Sequence, residues 1–96
     1  LLQQTEQIRQ QRGLMIEALS AFKNLSIYPS AANFILIRTH EISADDVFIS
    51  LKNQGVLIKN LSAQGGLLSN CLRITIGTAD ENQSLLNALT VALNPS

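Results

Sequence analysis

Residues Leu72-Arg73-Ile74-Thr75-Ile76 alternate apolar and polar side chains without a break. Successive side chains of a strand point to opposite faces, so Leu72, Ile74 and Ile76 share one face and Arg73 and Thr75 share the other. A strand of this kind belongs to a sheet whose one side is covered by other elements. Gly77 breaks the pattern, and Thr78 followed three residues later by Glu81 spells a capping box for a helix. In that helix Leu85, Leu86, Leu89 and Leu93 fall at helical spacing, Ala88 and Ala92 allow close packing, and Asn94-Pro95 ends it.

Working back from this unit, Val56-Leu57-Ile58-Lys59 reads as a short strand, and Leu61 to Asn70 as a loop opened by Gly65-Gly66. Before it lies a second helix. Ser43 is its N-cap, Asp45 and Asp46 suit its positive end, Val47, Phe48 and Leu51 form its apolar face, and Gly55 is its C-terminal stop. Phe34-Ile35-Leu36-Ile37-Arg38 is a strand whose four consecutive apolar residues predict cover on both faces. Ile27 to Pro29 predicts a short edge strand, and Ser30 to Asn33 a turn. Residues 3–24 read as one helix, with Ile8, Met15, Leu19 and Phe22 on a single stripe and an almost wholly polar half up to Arg12. Gly13 weakens its middle by roughly 1 kcal/mol relative to alanine. The order is helix, short strand, strand, helix, strand, strand, helix. It predicts a two-layer α+β domain: a small, mostly antiparallel or mixed sheet with helices packed on one face. The opposite face carries Arg73 and Thr75.

Ninety-six residues hold one core. Apolar residues make up 46% and charged residues 15%, a charge content low for a free-standing small domain, so part of the surface is expected to lie under something else. Seven basic residues balance seven acidic ones with no lysine-rich block, which leaves no electrostatic footprint for a nucleic acid. Phe22, Tyr28, Phe34 and Phe48 are spread singly, which is no base-stacking platform. Cys71, the one cysteine, makes neither an internal disulfide nor a thiolate zinc site and favours a reducing compartment; the expected location is the cytoplasm. His40 has no cysteine or histidine nearby, so no metal is expected. No apolar run approaches about 18 residues, so no membrane helix is expected. The start Leu1-Leu2-Gln3-Gln4 has neither an initiator methionine nor a signal-peptide pattern, and it reads as cut from a longer chain.

Arg73 is the most informative candidate for chemistry. A guanidinium in mid-strand either faces water or meets an anion, and its planar fork suits a carboxylate or phosphate. Lys59 ends the neighbouring strand, either as a surface lysine or as a second positive charge on the same face. Asn33 either closes its own turn or offers an amide to a ligand. Arg38 reads as a solvated strand-end charge, and Cys71 as a small buried apolar side chain. Gly65-Gly66 is no phosphate loop, because no Lys-Ser or Lys-Thr pair follows it. No residue is assigned a catalytic role.

Three segments carry a family resemblance: Pro29-Ser30-Ala31-Ala32-Asn33-Phe34-Ile35-Leu36, Gly55-Val56-Leu57-Ile58-Lys59 and Cys71-Leu72-Arg73-Ile74-Thr75-Ile76-Gly77-Thr78, the last continued by Glu81-Asn82 and Leu85-Leu86-Asn87-Ala88-Leu89. Together they resemble the C-terminal part of the histidinol-phosphate aminotransferases. The resemblance implies the small domain of the aspartate aminotransferase fold over residues 25–96, with residues 1–24 as the helix linking it to a large domain. That large domain would hold pyridoxal 5′-phosphate through a Schiff-base lysine, and the whole enzyme would be a homodimer. It would move the amino group of histidinol phosphate to 2-oxoglutarate in histidine biosynthesis. The chain alone would bind no cofactor and have no activity, since neither Lys23, Lys52 nor Lys59 lies in a matching motif. In the family, the arginine of Cys-Leu-Arg-Ile binds the substrate anion; here it is Arg73. A second arginine commonly follows the Gly-Val stretch, and here Lys59 stands there, keeping the charge without the fork. Asn33 is the third substrate-binding candidate. The competing expectations are a related aminotransferase of aromatic amino acids, a cobalamin-pathway decarboxylase of the same fold, and a regulatory or interaction module without catalysis.

Overall fold

The alternating stretch sits in the interior of a four-stranded antiparallel sheet in a computed structural model that describes residues 5–94. Its strands are β1 (Leu25–Ala31), β2 (Phe34–Thr39), β3 (Lys59–Asn60) and β4 (Cys71–Thr75), in the spatial order β1-β2-β4-β3. Residues directly opposite each other on neighbouring strands share a face. Ile35 stands opposite Ile74 and Ile37 opposite Leu72, and all four have no exposed surface. This inner face packs against helices α1 (Thr5–Leu19), α2 (Ala44–Asn53) and α3 (Ala79–Leu93). Met15 and Leu19, Val47 and Leu51, and Leu85, Leu89 and Leu93 supply the helical half of the core. The architecture is the two-layer α+β domain that the alternation predicts.

The helix ends follow their local chemistry. Ser43 Oγ accepts the Asp46 N–H at 3.1 Å and starts α2. Thr78 Oγ1 accepts the Glu81 N–H at 3.1 Å while Glu81 Oε1 accepts the Thr78 N–H at 3.0 Å, so the capping box of α3 is complete. Helix α1 runs through Gly13 without a break.

Several boundaries differ from the sequence expectation. Residues 3 and 4 of the expected first helix, like Pro95, lie outside the described residues, and α1 ends at Leu19 rather than at residue 24. The Ala21 and Phe22 N–H groups donate to Ala18 and Leu19 carbonyls, the tighter i→i−3 pattern that winds a helix up. Phe22 thus reaches the core from a turn. Strand β1 spans Leu25–Ala31, beyond the expected Ile27 to Pro29, and leaves only Ala32-Asn33 for the turn. It is an edge strand, where Pro29 has no outward partner to lose, and its register shifts between Pro29 and Ala31. On β2 burial alternates: Ile35, Ile37 and Thr39 are buried while Phe34, Leu36 and Arg38 are half-buried, so full cover exists on one face only.

The expected strand Val56 to Lys59 shrinks to Lys59–Asn60. Gly55, at φ +85°, lets its own N–H return to Lys52 O at 3.0 Å and the Val56 N–H to Leu51 O at 2.8 Å. This Schellman-type closure ties Val56 to the end of α2, and the chain meets β4 only at Lys59. Residues 55–58 and Ile74 to Gly77 then border a groove of about 520 Å³. The connection from β3 to β4 contains two single-turn 3₁₀ helices, Ser62–Gln64 and Gly66–Leu68.

Candidate functional site

The face of the sheet turned away from the helices carries the candidate charges. Arg73 on β4 stands directly opposite Leu36 on one side and Lys59 on the other. The two sequence-predicted cations are therefore brought together across adjacent strands. Like charges directly opposite each other repel, and among the described residues neither pairs with a carboxylate. Arg73 is half-buried, and its guanidinium carbon lies 4.4 Å from the centroid of the Phe34 ring. Its Nε is fully buried with no hydrogen-bond partner among the described residues. A buried donor without an acceptor is costly to keep. Such a fork, beside an exposed ammonium, offers an anion both charge and directed donors.

Asn33, the third candidate, is exposed in the β1–β2 turn. Its carbonyl accepts the Ile76 N–H at 2.8 Å, so its backbone ties the turn to the end of β4. It directly precedes Phe34, the ring beneath Arg73, while its distance from Lys59 is set by the width of three strands.

Arg38 shares this face but is not the solvated charge that its strand-end position predicts. Its Nε donates to Ser69 O at 3.2 Å, one terminal nitrogen donates to Tyr28 Oη at 3.3 Å, and the other donates to Leu67 O. Its guanidinium also stacks 5.4 Å from the Tyr28 ring centroid. The guanidinium is spent on holding the 61–70 loop down. Cys71 lies beneath that loop, fully buried as expected, with Sγ 3.6 Å from Ser69 O. His40 Nε2 lies 2.7 Å from Ser26 Oγ. No group of three metal-ligating side chains occurs among the described residues, and none of their helices is long and apolar enough to cross a membrane.

Two contributors escape a reading of the sequence. Phe34 is hidden in an apolar run, and only its register opposite Thr75 reveals that it shares Arg73's face. The cluster of Asp45, Asn60 and Ser62 is the other. Asp45 Oδ1 accepts from Asn60 Nδ2 at 2.9 Å and from Ser62 Oγ at 2.7 Å. These donors, Asn60 first, hold the Asp45 carboxyl below the ordinary aspartate range.

With this geometry in view, the chain can be set beside known proteins. Over 87 residues, 91% of its length, it is 51% identical to histidinol-phosphate aminotransferase 2 of Nitrosococcus oceani, of which it covers 24%. The solved histidinol-phosphate aminotransferase from Clostridium acetobutylicum superposes with a TM-score of 0.82 at 26% identity, over 93% of this chain and 27% of that one. The solved L-threonine-O-3-phosphate decarboxylase from Porphyromonas gingivalis superposes with a TM-score of 0.81 at 26% identity, over 92% and 27%. No family model matches the chain. The sequence likeness, together with the fold, makes the chain a portion of a fold-type I aminotransferase. Within that class, the chain belongs to the histidinol-phosphate aminotransferase family. It spans about a quarter of the length of the curated relatives it matches.

Proposed function

We propose that this chain is the substrate-binding small domain of a pyridoxal 5′-phosphate-dependent histidinol-phosphate aminotransferase, and that Arg73 and Lys59 hold the anionic end of the substrate. The observation that carries this reading is Arg73 itself, laid on Phe34 with an unpartnered buried Nε and facing Lys59 across one strand pair. The overall reaction moves an amino group from histidinol phosphate to 2-oxoglutarate, so one site must accept a phosphate monoester and a dicarboxylate in turn. Both ligands end in anionic oxygens. Arg73 supplies a planar fork that grips two of them, and Lys59 supplies a mobile point charge that adapts to either group. Phe34 fixes the guanidinium plane and, with Leu36, keeps water from one side of it. Asn33 is the least constrained member, with a free amide at the rim.

The described residues do not fit the cofactor. Lys23, Lys52 and Lys59 are exposed, and Gly65-Gly66 leads into a single 3₁₀ turn rather than a helix start that could cradle a phosphate. Cofactor and Schiff-base lysine belong to the remainder of the protein, to which α1 forms the link, and this chain contributes binding and orientation. The chain by itself should then have no transaminase activity. The exposed Leu57 and Leu67 fit a surface that meets that remainder. The full protein works as a cytoplasmic homodimer in this reading.

The test is kinetic. In the full-length protein, Arg73→Ala should cost about 2–5 kcal/mol of transition-state binding, as truncated buried charge pairs do. That is roughly 30-fold to several thousand-fold in kcat/KM for both histidinol phosphate and 2-oxoglutarate. Arg73→Lys should recover part of it. Near-wild-type values for both substrates would leave Arg73 a solvated strand residue. A second reading, a phosphate-substrate decarboxylase, is favoured by the likeness to the Porphyromonas gingivalis structure. Release of carbon dioxide from a phosphorylated amino acid such as L-threonine-O-3-phosphate, with no amino transfer from histidinol phosphate to 2-oxoglutarate, would establish it instead.

A further inference from the structure

Strand β3 gives only Lys59 and Asn60 to the sheet, so two ladder positions hold the residue that faces Arg73. A ladder this short needs support from outside it. The two residues point in opposite directions. Lys59 shares the open face with Arg73, whereas Asn60 stands opposite Leu72 and reaches toward the helices. There its Nδ2 donates to Asp45 Oδ1, in the first turn of α2, at 2.9 Å. Its Oδ1 accepts the Ser62 N–H at 2.9 Å, so both ends of the amide are engaged and its orientation is set. Ser62 Oγ lies 2.7 Å from Asp45 Oδ1 and 2.7 Å from Asn60 Oδ1, and its one proton serves one or the other. One carboxylate thus collects donors from both sides of Leu61, whose own N–H donates to Cys71 O at 3.1 Å. Bonds to a charged acceptor are stronger than neutral ones.

We propose that Asp45 is a positioning residue for the anion site: through Asn60 and Ser62 it seats β3 against α2 and so holds Lys59 opposite Arg73. This rests on the reading of Lys59 and Arg73 as the anion wall. Without the Asp45 carboxylate the two-residue ladder frays and the Lys59 ammonium is no longer held at a fixed place. Affinity for the anionic end falls, while the steps carried by the rest of the protein continue.

The experiment is a double-mutant cycle in the full-length enzyme, with KM and kcat for histidinol phosphate and hydrogen exchange of residues 59–64 as readouts. Asp45→Ala should raise KM about three- to tenfold, the scale of one ordinary hydrogen bond, since the exposed carboxylate is screened by water, with kcat within about twofold. Exchange at 59–64 should speed up. In a Lys59→Ala background the same substitution should leave KM unchanged, because nothing remains to position. Asp45→Asn keeps one acceptor oxygen and should fall between, and it replaces the alanine variant if that fails to fold. Asp46→Asn removes a neighbouring charge from the same helical turn without touching Asn60 or Ser62, and should leave KM as it is. An equal effect of Asp45→Ala in both backgrounds, or none in either, overturns the positioning role while Lys59→Ala still raises KM. If Lys59→Ala itself leaves KM unchanged, the anion reading of Lys59 fails, and the positioning role with it.

Discussion

The guanidinium carbon of Arg73 lies 4.4 Å from the centre of the Phe34 ring, one strand away on the same face of the sheet. The two residues are diagonal neighbours, since Phe34 pairs with Thr75 and Arg73 with Leu36. A cation over an aromatic face is attracted by the ring quadrupole and loses rotational freedom at the same time. The ring thus fixes the direction in which the fork points.

Replacing Phe34 with leucine keeps an apolar side chain on the open face and removes the quadrupole. A cation–π contact is worth about 0.5–2 kcal/mol depending on exposure. If Arg73 grips the substrate anion as proposed, histidinol phosphate should bind the full-length enzyme roughly 2- to 30-fold more weakly. Tyrosine at the same position should stay near wild type. KM values for the two variants check this, and a leucine variant as good as the native protein would reduce Phe34 to filling.

Much of this arrangement is legible in the sequence, because its signals are local. The alternation from Leu72 to Ile76, the Ser43 cap and the Thr78–Glu81 box each declare themselves within a few residues. Arg73 and Lys59 are visible as residue types in strands, but their opposition is not, because register depends on the closure at Gly55 and on the 61–70 loop. Phe34 hides in a run of four apolar residues that conceals which ones face outward. Arg38 reads as solvated because its acceptors, the Leu67 and Ser69 carbonyls, lie 29 and 31 positions away. The first helix stops short of Phe22 because the apolar spacing continues into a turn that serves the core equally well.

Gly77 is required by its neighbour rather than by its backbone angle. A Cβ at this position would fall on Glu81 Oε1, the atom that accepts the Thr78 N–H. Gly77→Ala should displace the glutamate and lose half of the capping box, costing about 1 kcal/mol in unfolding free energy. In a Glu81→Ala background the same change should cost less, since the obstructing carboxylate is gone. Denaturant unfolding of the four proteins measures this, and equal costs in both backgrounds would place the strain elsewhere.

The lowered carboxyl of Asp45 has a pH signature. Asn60 and Ser62 favour its charged form in the folded state, so its folded pKa lies below the unfolded one. Its contribution to stability is complete above the unfolded pKa. It is lost as pH falls through the folded pKa, because protonation then removes the acceptor. Wild type should exceed Asp45→Asn in stability at neutral pH, and the gap should close in the acid range. Chemical denaturation of both proteins across that range checks the sign, and a gap that widens on acidification would contradict it.

Arg38 makes the last prediction, which separates it from Arg73. Its guanidinium holds the Ser69 and Leu67 carbonyls, and the loop so held lies over the fully buried Cys71 thiol. Reaction of that thiol with a disulfide reagent requires the loop to lift, a local opening whose free energy includes both bonds. Each charged hydrogen bond contributes about 1.5–3 kcal/mol, and about 1.4 kcal/mol is a tenfold change in the open population. Arg38→Ala should therefore raise the labelling rate of Cys71 at least about tenfold with little change in global stability. Arg38→Lys, with one flexible ammonium in place of a fork, should lie between. Arg73→Ala should leave the rate unchanged, since Arg73 makes no bond to the loop. The measurement is the pseudo-first-order rate of thiol modification under native conditions. Equal rates in wild type and Arg38→Ala would show that the loop stays closed by its own 3₁₀ turns and that Arg38 is not what holds it.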